Sequence, residues 1–304
     1  MEKVASSGTA QVLCHHGCGD AEKETLKYLI FQDRFDILLE KRLSGIAEQE
    51  YTGPYGKFRL MTFIKEFRRS GQLFFRWRSF LPLVMIPAFI FFLRNFTYLG
   101  NKHSLEVFWE IFCFSVCFLG LGIRVHIVGH KPKGTSGRNV TSQKANTLNT
   151  TGIYSIVRHP LYLGNFLIWL SFLLFVRHLF FGSIALLIFF LYYERIIFTE
   201  EEFLRKKFGQ AFAEWAQKTS MTFPRFKNWQ KPDRPFSLKN VLKRENSTFL
   251  LIIIAFTSLK VVGDYFYTGN WQISWQYGLM FCFGLVICIV LFSLKKKHLL
   301  DVER

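Results

Sequence analysis

Residues 161–193 read LYLGNFLIWLSFLLFVRHLFFGSIALLIFFLYY. Arg177 and His178 divide this stretch into two apolar runs, 161–176 and 179–198. The second run continues beyond residue 193, where the quoted stretch ends. About 20 apolar helical residues are needed to cross the hydrocarbon core of a bilayer, and both runs are close to that length. The stretch therefore predicts two membrane helices joined by a short turn.

Four further apolar runs lie outside this hairpin: 80–93, 107–123, 249–262 and 273–294. Half of the 304 residues are apolar and 36 are phenylalanine, which excludes an intrinsically disordered chain. Because the apolar residues are concentrated in long runs, an ordinary soluble enzyme is also excluded. We expect an all-α, polytopic integral membrane protein with about six transmembrane helices and a cytoplasmic cofactor pocket formed by its loops.

The charged residues predict which kind of partner the protein contacts and how the chain is oriented across the membrane. Lys and Arg total 39 against 22 Asp and Glu, a net charge of +17. Such a chain suits nucleic acid or an anionic membrane, and the apolar runs favour the bilayer, so no nucleic-acid partner is expected. Basic residues concentrate before the first run and after the second, fourth and sixth, whereas residues 263–271 contain only Asp264 as a charged group. The positive-inside rule then places both termini and the basic loops in the cytoplasm, at the inner membrane if the source is bacterial.

The chain divides into three predicted regions. Residues 1–78 form a cytoplasmic or interfacial extension, 79–245 the membrane core, and 246–304 a C-terminal hairpin with a basic tail. Within the extension, residues 58–80 are basic and aromatic, which indicates a helix on the inner membrane surface or a plain solvated helix. The extension also contains the sequence Cys-His-His-Gly-Cys at residues 14–18. Four potential ligands within five residues lie too close together to surround a metal ion tetrahedrally, so no metal is expected.

The segment before the hairpin contains the first candidate binding motif. It reads NTLNTTGIYSIVRHPLYLG over residues 146–164. Pro160 suits the first position of a helix, where its missing N–H would be unpaired, and His159 then lies at the cap. The free N–H groups and the dipole of such a helix start favour a carboxylate or a phosphate. Taken singly, these residues could equally be caps and interfacial anchors.

A second polar segment follows the hairpin, and its presence favours a binding site over separate caps and interfacial anchors. It starts at Glu194 and Arg195 and continues through Glu200, Glu201 and Glu202 to Phe223 and Pro224. Ionisable side chains at a membrane boundary are costly and usually have partners, although three glutamates can also form a solvated helix face. Two polar segments flanking one membrane hairpin indicate a shared site.

The paired motifs resemble the isoprenylcysteine carboxyl methyltransferase superfamily, whose relatives include phospholipid methyltransferases and bacterial enzymes that methylate lipid A phosphate. The resemblance covers 146–226 and depends on Gly-Ile-Tyr, Arg-His-Pro-x-Tyr-x-Gly and the later Glu-Glu-x-x-Leu-x-x-x-Phe-Gly at 200–209. It implies a helical membrane enzyme that binds S-adenosylmethionine in a cytoplasmic pocket with a lateral opening for a lipid.

The resemblance also implies roles for individual residues. The cofactor-binding set is Asn146, Thr147, Leu148, Asn149, Tyr154, His159, Pro160, Leu161, Tyr162 and Glu201. The prenylcysteine enzymes tend to have a histidine where Asn146 stands, and Glu200 competes with Glu201 for the place of the cofactor-side glutamate. Arg195 and Arg124 are expected to hold the anionic acceptor.

Methyl transfer from a sulfonium is an in-line displacement in which alignment supplies much of the acceleration. A carboxylate or phosphate acceptor is ionised at neutral pH and needs no general base, which fits a motif without a nucleophile and base pair. We therefore expect transfer to an anionic oxygen of a membrane-resident lipid or lipidated substrate, such as a lipid phosphate or a prenylcysteine carboxylate.

Three alternatives remain at this point. One is N-methylation of phosphatidylethanolamine, which shares the cofactor but uses an amine acceptor. Another is a nicotinamide-dependent membrane reductase of the sterol-reductase type, which generally has more spans. The third is a transporter, for which Glu110 and Lys260 are the ionisable residues closest to mid-span. The sequence does not determine the oligomeric state.

Overall fold

The computed structural model describes residues 54–78, 81–98, 100, 103–131 and 145–297. In chain order its helices are α1 (Pro54–Trp77), α2 (Leu81–Leu93), α3 (His103–Gly129), α4 (Pro160–Val176), α5 (Leu179–Phe208), α6 (Gln210–Lys218), α7 (Leu238–Thr268) and α8 (Trp275–Lys296). Two single 3-10 turns occupy Ile153–Ser155 and Phe226–Asn228. All regular elements in this part of the chain are helical, which confirms the predicted all-α class.

Four of these helices are long and apolar enough to cross a membrane, namely α3, α5, α7 and α8. The helices α2 and α4 are apolar but shorter, and their apolar parts are Val84–Leu93 and Pro160–Val176. The architecture is that of an integral membrane protein, and about six crossings are compatible with it.

Helix α7 is much longer than the apolar run 249–262 that predicts it. Its start is capped by Ser237, whose hydroxyl accepts a hydrogen bond from the N–H of Asn240 at 3.4 Å. It ends at Gly269, which adopts the left-handed conformation with φ 75° and donates to the carbonyl of Tyr265. The additional N-terminal turns position Arg244 and Glu245 beside the start of α4.

Helices α3 and α4 pack closely because both have glycine at their crossing point. A Cβ atom on Gly120 would lie 2.7 Å from the carbonyl oxygen of Gly164, so only glycine allows this approach. The surrounding core contains several phenylalanines, among which Phe175 and Phe256 are almost completely buried.

At the opposite end of the bundle from the start of α4, buried charged groups join α3 and α7. The ammonium group of Lys260 lies 2.9 Å from Glu110 and 3.1 Å from Asp264, and Tyr98 donates to Asp264 at 3.0 Å. We refer to these four residues as the Lys260 cluster. The sequence singles out Glu110 and Lys260 separately, and the structure shows that they form an ion pair.

The chain forms two compact units, Met1–Lys65 and Glu66–Arg304. From Glu66 onward α1 packs along α5, where Phe74 and Tyr192 stack with ring centroids 4.9 Å apart. The Cys-His-His-Gly-Cys sequence lies outside the described residues, and the predicted boundary at 78 remains a prediction.

Candidate active site

The candidate site begins at the start of α4. His159 occupies the N-cap position and Pro160 the first helical position, as predicted, but the imidazole makes no capping hydrogen bond. The side chain instead lies buried between the helix start and α5, with 6% of its surface exposed. The local sequence therefore fixes the position of His159, and a tertiary partner fixes the direction of its side chain.

The loop that precedes α4 is held by the segment that follows α6. The N–H of Arg158 donates to the carbonyl of Ser220 at 2.8 Å, and that of Gly152 to the carbonyl of Gln230 at 3.0 Å. Gly152 has φ 62°, a conformation that favours glycine. The indole N–H of Trp215 on α6 donates to the carbonyl of Tyr154 at 3.1 Å. The two polar segments predicted to share a site are thus in direct contact.

A charged cluster lies where this loop meets α5. Nε2 of His159 is 2.9 Å from Oε1 of Glu201, and Nδ1 is 3.7 Å from Oε2 of Glu200. Tyr162 donates to Glu200 at 2.7 Å, and Arg158 lies 3.3 Å from Glu201. Burial alone would lower the pKa of His159, but the hydrogen bond to Glu201 and the charges of Glu200 and Glu201 outweigh it and raise the pKa to about 9. His159 is therefore an imidazolium ion at neutral pH.

Arg195 points away from this cluster. Its guanidinium lies over the ring of Phe67, 3.5 Å from the centroid, and Nη1 donates to the hydroxyl of Ser70 at 3.3 Å, both on α1. Glu202 is seven residues further along α5 and so on the same face, where it accepts from Nε of Arg68 at 2.8 Å. This face of α5 binds α1, whereas Glu200 lies on the face toward α4.

Arg124 on α3 lies at the centre of the site and is extensively paired. Its Nε and Nη2 donate to Glu245 at 2.9 and 3.1 Å, and Nη2 also donates to Thr248 at 3.3 Å. A further hydrogen bond from Nη1 goes to Asn165 on α4. Arg124 therefore joins α3, α4 and α7 around the site.

Two neighbouring cavities open at this end of the bundle. The smaller, of about 170 Å³, is lined by Arg124, Ile127, Val128, Lys131, Ala145, Thr147, Leu148, Asn149, Tyr154, Arg158, His159, Pro160, Leu161, Tyr162, Glu200, Leu204, Trp215, Arg244 and Glu245. The larger, of about 470 Å³, is lined by His126, Ile127, His130, Lys131, residues 147–154, Pro232, Asp233 and Arg234. The two cavities share the walls formed by Ile127, Lys131, Thr147, Leu148, Asn149 and Tyr154.

Most of the residues expected at the site surround these cavities. Among the expected residues, those that line the smaller cavity are Thr147, Leu148, Asn149, Tyr154, His159, Pro160, Leu161, Tyr162 and Arg124. Asn146 is exposed, Glu201 lies behind His159, and Arg195 contacts α1. Of the two competing glutamates, Glu200 lines the cavity.

Sequence reasoning missed several wall residues, including Lys131, Trp215, Arg244 and Glu245. Trp215 is part of the second polar segment, but no role at the site is predicted for it from the sequence. Lys131 and Arg244 carry no sequence signal beyond their basic charge, because their proximity depends on how α7 packs against α3.

The fold and cavities define a helical membrane protein with a polar site at one end of its bundle. Residues 111–211, about one third of the chain, match the model of the phospholipid methyltransferase family, which is part of the isoprenylcysteine and phospholipid methyltransferase superfamily. The resemblance predicted from the motifs is thereby confirmed. This match supports a membrane methyltransferase that acts on a phospholipid or another lipid.

Two curated bacterial proteins are similar over 86 residues, which is 28% of this chain. One is the cobalt-zinc-cadmium resistance protein CzcN of Cupriavidus metallidurans, with 41% identity. The other is the nickel-cobalt-cadmium resistance protein NccN of Alcaligenes xylosoxydans, with 34% identity. The similar region spans 39% and 40% of the length of these relatives. No solved structure matches the chain.

Proposed function

We propose that this protein is an S-adenosylmethionine-dependent methyltransferase of the membrane. Its acceptor is an anionic oxygen of a membrane-resident lipid or lipidated substrate. The observation that carries the proposal is the polar cavity walled by Tyr154, His159, Tyr162 and Glu200, which come from the two motifs that flank the α4–α5 hairpin. The family match over residues 111–211 supports the same reaction class.

The chemistry of the cavity walls fits the proposed methyl donor. The carboxylate of Glu200 suits its ammonium group or ribose hydroxyls, and the start of α4 at His159 and Pro160 suits its carboxylate. The larger cavity has room for adenosine beside Tyr154, and its volume lies in the usual range for ligand pockets, roughly 300–1,000 Å³. His126 contributes a buried Nε2 to this cavity that has no hydrogen-bond partner among the described residues.

When bound, the cofactor supplies a methyl carbon on a sulfonium; an acceptor oxygen lone pair forms the new O–C bond while the C–S bond breaks and its electron pair stays on sulfur. No proton moves in this step, so the site needs no general base. The imidazolium of His159 is held by two carboxylates and cannot accept a proton near neutral pH, which is consistent with an acceptor that is already ionised.

The charge of the smaller cavity also favours an anionic acceptor. Five cations line it, namely Arg124, Lys131, Arg158, Arg244 and the imidazolium of His159, against the carboxylates of Glu200 and Glu245. An amine such as that of phosphatidylethanolamine would have to lose a proton and would meet this excess of positive charge. Phosphatidylethanolamine N-methylation is therefore the less favoured alternative.

Ligand-dependent thermal stabilisation of the purified protein tests the cofactor. We expect S-adenosylhomocysteine to raise the melting temperature in detergent and a nicotinamide dinucleotide to leave it unchanged, since only a ligand that binds the folded state stabilises it. Stabilisation by the dinucleotide alone would favour a reductase, and stabilisation by neither would favour a transporter.

Methyl transfer is tested with S-adenosylmethionine labelled in its methyl group. Membranes containing the protein should incorporate label into an extracted lipid or lipidated protein as a base-labile ester or a phosphate methyl ester. Membranes containing the Glu200→Gln variant serve as the matched control. Label recovered on a headgroup amine would contradict the anionic acceptor.

A further inference from the structure

Two basic side chains reach the smaller cavity from outside both sequence motifs. Lys131 follows the end of α3 by two residues, and Arg244 lies on the second turn of α7. The start of α7 is tied to the end of α3 because the N–H of Ser237 donates to the carbonyl of Gly129 at 2.9 Å. This contact brings the segments that carry the two cations to the same end of the bundle.

Arg124 and Arg195, the residues expected to bind the acceptor, are engaged elsewhere, and so is the cavity residue Arg158. Arg124 is paired with Glu245 and also donates to Asn165. Arg158 lies beside Glu201, and the guanidinium of Arg195 covers Phe67. In the part of the chain that the structure describes, Lys131 forms no ion pair. It is therefore the cavity cation with most freedom to meet an incoming anion.

Lys131 and Arg244 also interact unfavourably with each other. Burial, with the positive charges of Arg244 and Arg78, lowers the pKa of Lys131 to about 8, although the carboxylates of Glu200 and Glu245 act in the opposite direction. Two like charges beside one cavity are stabilised when an anion binds between them. Both lie at the end of the bundle next to the apolar spans, where a lipid headgroup would be found.

We propose that Lys131 and Arg244 together bind the oxyanion headgroup of the methyl acceptor and so select a phosphate or carboxylate over an amine. This inference rests on the proposed methyltransferase function. It transfers the role of acceptor recognition from Arg195, which contacts α1, to residues that the family motifs do not contain. Because the residues hold the acceptor and take no part in bond breaking, their loss should weaken acceptor binding more than turnover at saturation.

The test uses the full-length protein in nanodiscs with methyl-labelled S-adenosylmethionine. Three acceptors are offered separately: phosphatidic acid for a phosphate, N-acetyl-S-farnesylcysteine for a carboxylate, and phosphatidylethanolamine for an amine. For the oxyanion that is methylated, Lys131→Gln and Arg244→Gln should each raise the KM for the acceptor about tenfold, the effect of losing a charge-assisted contact. Lys239→Gln, on an exposed position of α7, is the matched control and should keep the wild-type KM.

The Lys131→Arg variant and the pH dependence of the KM for the acceptor distinguish recognition of the acceptor from a structural role of Lys131. The wild-type KM should rise above about pH 8 as Lys131 loses its proton, and Lys131→Arg should restore binding and remove this rise. A wild-type KM in the Lys131→Gln, Arg244→Gln double variant would overturn the inference, as would methylation of phosphatidylethanolamine alone. A parallel loss of S-adenosylhomocysteine affinity would overturn it too, since the cations would then bind the cofactor.

A binding measurement covers the case in which none of the three acceptors is methylated. Nanodiscs containing phosphatidic acid or the farnesylcysteine should stabilise the protein loaded with S-adenosylhomocysteine more than phosphatidylcholine does, and the double variant should lose this gain. Equal stability in all three would refute recognition of an oxyanion. Failure of the proposed function itself is distinguishable, because the wild-type protein would then not bind S-adenosylhomocysteine at all.

Discussion

Three consecutive glutamates on α5 differ in their principal partners, although Glu200 and Glu201 both lie beside His159. Glu200 accepts from Tyr162 and lines the smaller cavity, Glu201 pairs with His159 and Arg158, and Glu202 binds α1 through Arg68. Successive residues on a helix are about 100° apart, and Glu200 lines the smaller cavity whereas Glu201 does not. The choice between Glu200 and Glu201 thus has a structural basis.

Replacing each glutamate by glutamine should separate cofactor binding from stability. We expect Glu200→Gln to weaken S-adenosylhomocysteine binding about tenfold, the effect of losing a charge-assisted contact. Glu201→Gln should mainly lower the melting temperature, because it leaves the His159 and Arg158 cations undercompensated. Glu202→Gln is the matched control for affinity. Calorimetric titration and thermal melting measure both quantities, and weaker binding only in Glu201→Gln would reverse the assignment.

His159 makes the stability of the protein depend on pH. Its pKa is raised from the ordinary 6.5 to about 9, so its charge contributes stability that is fully present below pH 6.5 and is lost as the pH rises through 9. We expect the melting temperature in detergent to fall across this interval and His159→Gln to reduce the fall. Equal pH dependence in the two proteins would show that His159 does not carry the charge.

For single residues, the sequence predicts where a residue lies in the fold better than it predicts which group its side chain contacts. Pro160 alone places His159 at the helix start, because proline lacks the N–H that an interior position would need. Whether the imidazole caps the helix or binds Glu201 depends on how α5 packs against α4, which no local pattern contains. The same holds for Arg195, whose aromatic partner on α1 is 128 residues earlier in the chain.

At the scale of elements, hydropathy predicts which segments are helical better than where they end. The run 249–262 starts after the polar residues 246–248 and ends before Gly263 and Asp264, whereas the hydrogen bonding of α7 continues from Leu238 to Thr268. Its ends are set by Ser237 and Gly269, which act through backbone geometry rather than polarity. The N-terminal turns that hydropathy omits are those that bring Arg244 and Glu245 to the site.

The crossing of α3 and α4 should be sensitive to a single methyl group. Gly120→Ala would put a Cβ atom 2.7 Å from the carbonyl of Gly164 and separate the helices, at a cost of about 1–3 kcal/mol. Gly122→Ala, two residues along the same helix, meets nothing within 4 Å and should be neutral or slightly stabilising. Denaturation in detergent measures both, and equal stability of the two variants would contradict this packing.

For the whole molecule, basic connections between the apolar runs alternate with connections poor in basic residues. This alternation predicts that the two ends of α7 lie on opposite sides of the membrane. The helix has 31 residues and is about 46 Å long, longer than the hydrocarbon core of about 30 Å. The basic segment before α7 should be cytoplasmic and the short α7–α8 connection external. The fold class and this alternation follow from sequence, whereas the packing order of the helices does not.

Cysteine labelling of intact cells tests this orientation. In a background with the native cysteines replaced by serine, Asn270→Cys should react with a membrane-impermeant maleimide, and Lys227→Cys should react only after the membrane is opened. Both positions are exposed in the fold, so access depends on the membrane alone. Reaction of both residues from the same side would contradict the predicted topology.

Buried ion pairs join α3 to α7 at both ends of the bundle, Lys260 with Glu110 at one end and Arg124 with Glu245 at the other. Moving α3 from α7 would leave Glu110 without its ion-pair partner, while Lys260 would keep Asp264 on its own helix. At the other end the same movement would separate Arg124 from Glu245. Breaking a buried pair costs several kcal/mol because a charge is left uncompensated. A two-tailed molecule should therefore not slip between α3 and α7 at either end, and the backbone amides beside both pairs should be late to exchange with deuterium.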